Sequence, residues 1–450
     1  PWWGRFSDVL PKLRYASKIF ERASSLEEML VSSSLKPLDA ALGEHQRALR
    51  MGKNDRNLLG VALYSASRRR NAIMEVIGAD FPPGRLLTIG FLDATGELGS
   101  EVLDAFTPAE ELVDILDKVN AKRHIWMQNI YGEWGEDLVS CTDETVDSIC
   151  GLFSIPNVFI ESGPWRKVNE AAGELVRGKD RQNIHLRCKR ASGAYEALMS
   201  ELNQMDKGYW RSAYSESCII AESPLNIRNF ESFRLGMVEV QDEGSQLLIE
   251  AAAPFIKGKV LDLCAGGGGK SLAMSDLAPD TDIYAYDIDL RRLNGIYPRI
   301  RRAAAKNIKT LSSFDEVMSA APYDFIPIDA PCTSTGTMRR NPDINWRWSA
   351  KKIQEIVTTQ YNLLRNSMDL VSRGGVVAYA TCSLLAVENN LQFEKFLAEH
   401  IGLLEEVPPC AANGNPFSAK ENRLSAGSRV PLNFTKYQGD AFFLALAKRL

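Results

Sequence analysis

Two thiols and one carboxylate define the chemistry this chain could carry out. Asp329-Ala330-Pro331-Cys332 follows the apolar run Phe325, Ile326 and Ile328, and Thr381-Cys382-Ser383 follows Val376-Val377-Ala378-Tyr379-Ala380. Each run reads as a buried strand, and each is followed by a cysteine. In open α/β sheets, ligands sit outside the carboxyl ends of the strands. Asp329, Cys332 and Cys382 are therefore expected to face one crevice. A free thiol has a pKa of about 8.5, so only a small fraction is thiolate at neutral pH. A strand end ahead of a helix start would raise that fraction, and Ser383 to Glu388 reads as a loop into a helix beginning near Val387. Either cysteine alone is by default a buried structural thiol; the pair, in these two contexts, points to chemistry.

A second ligand site is written earlier in the chain. Val260-Leu261-Asp262-Leu263 reads as a strand, Cys264-Ala265-Gly266-Gly267-Gly268-Gly269-Lys270 as a tight turn, and Ser271–Leu277 as a helix. The next strand, Ile283-Tyr284-Ala285-Tyr286, ends in Asp287. Glycines allow close approach to a ligand, the helix N-terminus offers unpaired N–H donors, and an acid closing the next strand suits ribose hydroxyls. Cys264 is expected only to line the turn. A phosphate-cradling loop would need Gly-x-x-x-x-Gly-Lys-Ser/Thr; Gly269-Lys270-Ser271 matches its end, but Cys264 stands where the first glycine is required. Asp262 would also lie close to the phosphates. The turn suits a nucleoside with a zwitterionic tail better than a triphosphate, and S-adenosylmethionine fits that description.

These strands need a sheet, and 450 residues are too many for one ordinary core, so two or three domains are expected. With 45% hydrophobic and 24% charged residues the composition is that of a soluble globular protein. No run approaches the roughly 18 apolar residues of a membrane span, and the start lacks a signal-peptide layout. The 8 cysteines include no Cys-x-x-Cys pair and there are only 4 histidines, which argues against zinc and against a disulfide framework. Free thiols fit a reducing cytoplasm. A net charge of −4 means that a nucleic-acid partner would be met by local basic patches.

The front of the chain reads as helices. Leu10, Leu13, Ile19, Phe20, Leu26 and Leu30 recur at helical spacing up to Pro37, and Lys53–Arg70 reads as a helix capped by Asn54 or Asp55. The arginines at its end, Arg68 to Arg70, either compensate the helix dipole in solvent or touch phosphate. Further helical pieces are expected around Ala109–Val119 and Asp143–Phe153. From about 155 to 240 glycines punctuate shorter segments, and Arg166, Lys167, Arg177, Lys179, Arg181, Arg187, Lys189 and Arg190 form either a phosphate-contacting surface or a solvated face. Gln241 to Glu250 opens a helix into the last domain. Arg291 to Lys309 is basic and amphipathic, either an outer helix of the sheet or a nucleic-acid face. Ile353–Val371 reads as a helix stopped at Arg373-Gly374-Gly375, and Asp440 to Ala447 as a final strand. The expected division is 1–150 all-helical, 151–238 a small α+β linking domain, and 239–450 a Rossmann-like α/β domain.

With these residues in place, the last domain resembles the RsmB/Nop/Sun family of S-adenosylmethionine-dependent RNA cytosine-5 methyltransferases. The resemblance rests on Val240 to Gln246, Leu261 to Ala265 with Gly268-Gly269-Lys270, Asp329 to Cys332 with Gly336, Arg339 to Ile344, Tyr379 to Ser383 with Glu388-Asn389, and Gly439 to Phe443. The Lys53–Arg70 helix is similar to the NusB-like domain of some bacterial members, and Leu186-Arg187 resembles the start of their linking domain. The resemblance implies a class I methyltransferase fold and an S-adenosylmethionine site at Cys264 to Lys270, Asp287 and Asp329. It also implies an RNA substrate, ribosomal ahead of transfer RNA, and no metal; nothing calls for an obligate partner, so a monomer is expected. Cys382 becomes the nucleophile, Cys332 the residue of product release, and Asp329 the contact to the ring nitrogen of the base. DNA cytosine-5 methyltransferases use instead the cysteine of their Pro-Cys pair, here Cys332. Amino-group methyltransferases place Asp/Asn-Pro-Pro-aromatic after this strand, unlike Asp329-Ala330-Pro331-Cys332.

The chain departs from the family twice. The usual Ala-Ala-Pro-Gly-Gly-Lys is here Ala265-Gly266-Gly267-Gly268-Gly269-Lys270, and the acid usual after the third strand has no equivalent near Leu311-Ser312-Ser313. These departures motivate an alternative, an RNA-binding assembly factor whose methyltransferase domain has lost turnover.

Overall fold

The computed structural model describes residues 16–32, 37–78, 81–95, 109–178, 183–190, 193–205, 207–222, 225–409, 429–432 and 439–450. The chain divides into two compact units, Pro1–Asp180 with Thr337–Ala350, and Arg181–Gly336 with Lys351–Leu450. Lys179 and Arg181 of the basic cluster, Cys410, and Leu10 and Leu13 lie outside the described residues.

The first unit is helical throughout its longer described elements, among them Lys53–Arg68, Arg85–Thr95, Ala109–Gly132 and Asp143–Phe153. Leu59, Ala62, Leu63 and Ala66 fall on one stripe of Lys53–Arg68 and are buried with Phe20, Leu86, Ile89 and Leu116, as a helix with one apolar face requires. That helix is capped at Gly52 rather than at Asn54 or Asp55, which lie in its first turn. The helix expected at Ala109–Val119 runs on to Gly132, because Trp126 and Ile130 extend the buried stripe. The arginines after Lys53–Arg68 serve the interior. Arg68 donates to Arg339 O, while Arg70 bonds Leu30 O and Val31 O and lies 5.8 Å over the Trp346 ring. They anchor residues 337–350, where Asp343 accepts from Leu38 N–H at 3.2 Å and Asn345 donates to Phe153 O at 3.0 Å.

The second unit carries two sheets. In the smaller, β1 (Ile184–Cys188), β2 (Tyr209–Arg211), β3 (Cys218–Ala221) and β4 (Val238–Val240) pair in the order β2-β3-β1-β4, all antiparallel. The larger comprises β5 (Lys259–Asp262), β6 (Asp282–Ala285), β7 (Ile308–Thr310), β8 (Tyr323–Asp329), β9 (Val371–Thr381), β10 (Leu404–Val407), β11 (Arg429–Leu432) and β12 (Phe442–Arg449). Its order is β10-β12-β9-β8-β5-β6-β7, with β11 also on β12; β5 to β9 run parallel and β12 is antiparallel to β9. The strand order reverses between β5 and β8, the position at which a doubly wound sheet opens a crevice at its carboxyl edge.

Side-chain alternation shows why these runs are strands. Phe325, Val376, Ala378, Phe442, Leu444 and Leu446 enter one buried cluster, while Ile326, Ile328, Val377, Tyr379, Phe443 and Ala445 enter the other. Period-2 alternation with both sets apolar is the mark of a sheet covered on both faces. Each such side chain stabilises the fold by about 1.5–3 kcal/mol on burial. Two expectations change here. Arg373-Gly374-Gly375 does not stop the helix, which ends at Leu370, but lies inside β9. The pairing slips there, from Tyr323↔Val371 to Phe325↔Val376, and Gly374 takes φ of 78° in the resulting bulge. The basic segment Arg291–Lys309 is not one helix either: Leu290–Leu293 and Ile296–Ala303 precede β7, which contains Lys309.

Candidate active site

The glycine turn leaves β5 at Asp262 and enters the helix Gly269–Leu277. Gly268 caps this helix with φ of 79°, and a Cβ there would stand 2.1 Å from Ile296 Cγ1. Only glycine accepts both conditions. Gly266, at the position where the family has alanine, also takes a left-handed φ, 52°. Its N–H donates to Asp287 Oδ2 at 2.8 Å, and Asp289 N–H donates to Asp287 Oδ1 at 2.8 Å. Asp287 thus fastens the turn to the end of β6. On the other side Arg299 Nη1 donates to Gly267 O at 2.8 Å, and Gln241 Nε2 donates to Gly269 O at 3.3 Å. Gln241 also accepts from Arg187 Nε at 2.8 Å. A side chain just ahead of a helix gave no sequence signal of that bridging role.

The residues of the turn fit a nucleoside with a zwitterionic tail. They combine two left-handed glycines, an acidic strand end at Asp287, and an acceptor that the protein leaves unfilled. That acceptor is Asp262 Oδ1, buried with no hydrogen-bond partner, while Oδ2 takes the Ser271 hydroxyl at 2.6 Å. Burial pushes the Asp262 carboxyl up to about 6 against the opposing pull of that hydroxyl. Burial likewise raises the Cys264 thiol, keeping it protonated in the turn. Ser312 N–H and Oγ both donate to Glu316 at 2.8 Å, and Ser313 Oγ accepts from Glu316 N–H. Ser313 thus caps the helix Phe314–Ala320, and the Glu316 carboxylate reaches back to Ser312.

The two thiols meet. β8 and β9 are parallel neighbours with Asp329 opposite Ala380, and Ala330 N–H donates to Ala380 O at 2.9 Å. The residues that follow carry Cys332 Sγ to 3.4 Å from Cys382 Sγ. The pair is polarised. The hydrogen bond shared with Cys382, together with burial, holds Cys332 well above the ordinary thiol range. Cys382 is lowered, because the same hydrogen bond outweighs its burial. The helix expected to begin near Val387 starts instead at Asn390, after a 3₁₀ turn over Ala386–Glu388. The tendency of Cys382 towards thiolate therefore comes from its partner thiol rather than from a helix end. Gly336 locks the two loops together: its N–H donates to Cys382 O at 2.9 Å, and its carbonyl accepts from Ala441 N–H at 2.9 Å.

Lys270 connects the turn to the thiol crevice. Its Nζ lies 2.5 Å from Asp329 Oδ2 and 5.6 Å over the Phe442 ring. Burial opposes the lysine charge, but Asp329 outweighs it and raises Lys270 above its usual value. The sequence singled out both residues; their pairing is a result of the fold. Four of the basic residues proposed for nucleic-acid contact are engaged internally, while Arg166, Lys167, Arg177, Arg190, Arg292 and Lys306 are exposed. Arg187 is ion-paired to Asp276 at 3.0 Å, Lys189 donates to Ala303 O, and Arg299 and Arg302 both hold Glu239. Arg291 and Arg301 stay exposed. Among the described residues no helix is long and apolar enough to cross a membrane, and no group of three or more His, Cys, Asp or Glu could hold a metal ion.

The family described as 16S rRNA methyltransferase RsmB/F matches residues 251–448. "Ribosomal RNA small subunit methyltransferase B" of Escherichia coli O6:K15:H31 is 32% identical over 239 residues, covering 52% of this chain and 54% of that protein. The chain thus spans about half the length of this relative. Among solved structures, PH0851 aligns over 97% of this chain and 98% of its own with a TM-score of 0.71 at 22% identity. A methyltransferase homolog protein from Pyrococcus horikoshii covers 69% of this chain and 100% of its own, with a TM-score of 0.55 at 21% identity. These structural likenesses speak to the fold alone, a Rossmann-like α/β domain. Through residues 251–448 the chain is similar to the RsmB/F methyltransferase family.

Proposed function

We propose that this protein is an S-adenosylmethionine-dependent methyltransferase forming 5-methylcytosine in RNA, with ribosomal RNA as its substrate. The observation that carries the reading is the thiol pair, Cys332 and Cys382 hydrogen-bonded at 3.4 Å, beside the Lys270–Asp329 ion pair. The names of the curated relatives support ribosomal RNA.

Carbon 5 of cytosine is too electron-poor to attack a methyl sulfonium directly. Cys382, as thiolate, adds to carbon 6, breaking the 5,6 double bond and making carbon 5 an enamine carbon. Asp329 contacts the ring nitrogen, and Lys270 keeps Asp329 in place. The bound cofactor supplies an electrophilic methyl group, which carbon 5 takes. The carbon-5 proton then leaves to a base, the double bond re-forms, and Cys382 departs as thiolate. Cys332 serves this release: its sulfur lies 3.4 Å from the departing one, where its S–H can stabilise the thiolate. Ala265 to Lys270 and Asp287 hold the cofactor, with Cys264 lining the turn. The division into 1–150, 151–238 and 239–450 assigns RNA contacts to the first two segments. The chain works as a monomer in the cytoplasm and needs no metal.

The test is transfer of labelled methyl from S-adenosylmethionine to ribosomal RNA from cells lacking the enzyme, with the product mapped by bisulfite sequencing. A single protected cytosine is expected. RNA binding without methyl transfer would replace this reading with the assembly-factor alternative.

A further inference from the structure

Glu388 is fully buried and takes no part in the steps above. It sits in the 3₁₀ turn after Cys382, and its carboxylate is surrounded by four donors from three elements. Oε1 accepts from Thr333 N–H at 2.8 Å and from Gln360 Nε2 at 2.9 Å. Oε2 accepts from Thr333 Oγ1 at 2.5 Å and from Ser383 Oγ. Thr333 directly follows Cys332 and Ser383 directly follows Cys382. Gln360 also donates to Pro331 O at 2.9 Å, so it grips the residue before Cys332 as well. The two hydroxyls, Thr333 Oγ1 and Ser383 Oγ, are 3.2 Å apart. All four donors are neutral.

A buried carboxylate is expensive when no cation accompanies it. Apolar packing would hold a loop at less cost, yet would fix neither direction nor distance. Hydrogen bonds to a single carboxylate do both. We propose that Glu388 is a positioning residue for both thiols: it joins the loop after Cys332 to the loop after Cys382 and so sets the separation and alignment of the two sulfurs. This inference rests on the methyltransferase reading for its consequence in catalysis, but not for its geometry.

Two near-isosteric variants of the full chain separate positioning from general stability. In Glu388→Gln the amide oxygen can still face the two N–H donors, while the amide NH₂ donates to two hydroxyls that are free to rotate. In Glu388→Met all four acceptor positions are gone. The first readout is disulfide formation between Cys332 and Cys382 under diamide, followed by peptide mass spectrometry. Both thiols lose a hydrogen, an S–S bond forms, and diamide is reduced to its hydrazine. The others are cofactor affinity by calorimetry, kcat for methyl transfer, and the melting temperature.

A misplacement of about 1 Å can cost on the order of a hundredfold in rate, so Glu388→Met is expected to slow thiol coupling and kcat at least about tenfold. Cofactor affinity should stay within about twofold, and Glu388→Gln within about threefold of wild type throughout. Three results overturn the proposal: coupling in Glu388→Met within about twofold of wild type, a fall in kcat without slower coupling, or an equal fall in both variants that tracks the melting temperature. If Glu388→Met does not fold, Thr333→Val and Ser383→Ala decide. Each removes one hydroxyl donor and should slow coupling about threefold; no change in either overturns the proposal. If wild type transfers no methyl while coupling still depends on Glu388, the methyltransferase reading falls and the positioning role stands.

Discussion

Removing the Cys332 thiol should make Cys382 a weaker nucleophile, and the size of the effect follows from one hydrogen bond. Cys382 is lowered first by its hydrogen bond with Cys332 across 3.4 Å, and burial works against it. In Cys332→Ala the donor disappears while the burial remains, so the Cys382 pKa must rise. A hydrogen bond to a charged acceptor contributes about 1.5 kcal/mol, and about 1.4 kcal/mol corresponds to one pKa unit. The expected rise is therefore about one unit, and alkylation of Cys382 near neutral pH slows about tenfold, because only the thiolate reacts. Cys332→Ser restores a donor and should recover most of the loss. The assay is the pH dependence of iodoacetamide labelling, read peptide by peptide. Cys150 and Cys188, pushed up to about 12 by burial, serve as slow internal references. A labelling midpoint for Cys382 that is unchanged or lower in Cys332→Ala would refute the reasoning.

Gly336→Ala would place a Cβ 2.2 Å from Ala441 O, a backbone atom that cannot step aside. Overpacking of this kind costs about 1–3 kcal/mol, to be read from the denaturant midpoint, with slower labelling of Cys382. Gly268→Ala combines φ of 79° with a Cβ 2.1 Å from Ile296, whereas at Gly267 the nearest atom, Arg299 Nη1, is 3.6 Å away. Calorimetry should show cofactor affinity falling about tenfold or more in Gly268→Ala and little in Gly267→Ala. Asp262 is raised from 3.8 to about 6, so the folded chain holds that proton more tightly than the unfolded chain. Its contribution to stability is full below the lower value and is lost as pH rises through the higher one. Urea midpoints between these two values should slope downward with pH for wild type and flatten in Asp262→Asn; equal slopes would contradict the assignment.

Much of the sheet was legible because its apolar residues alternate. Val376 to Ala380 and Phe443 to Ala447 lie in strands as read, and the glycine turn stands between β5 and its helix. What escaped were contacts between distant segments. The end of Lys53–Arg68 carries arginines that look solvated in sequence, yet two of them hold residues 337–350, which lie some 270 positions later. Arg373-Gly374-Gly375 has the composition of a helix stop, but the slip between β8 and β9 absorbs it into a strand. At the candidate site, the residue types could be read and their partnerships could not. Lys270 with Asp329, Cys332 with Cys382, and Glu388 with the loops after both thiols are all set by parallel strand ends.

The most direct test of Cys382 as nucleophile is a denaturing gel for a covalent protein–RNA adduct, comparing Cys332→Ala with Cys382→Ala. Each variant receives S-adenosylmethionine and RNA from cells lacking the enzyme. The account predicts an adduct band that accumulates with Cys332→Ala and is absent with Cys382→Ala, since the first can attack but not release and the second cannot attack. Accumulation with Cys382→Ala, or no adduct with either variant, would contradict it.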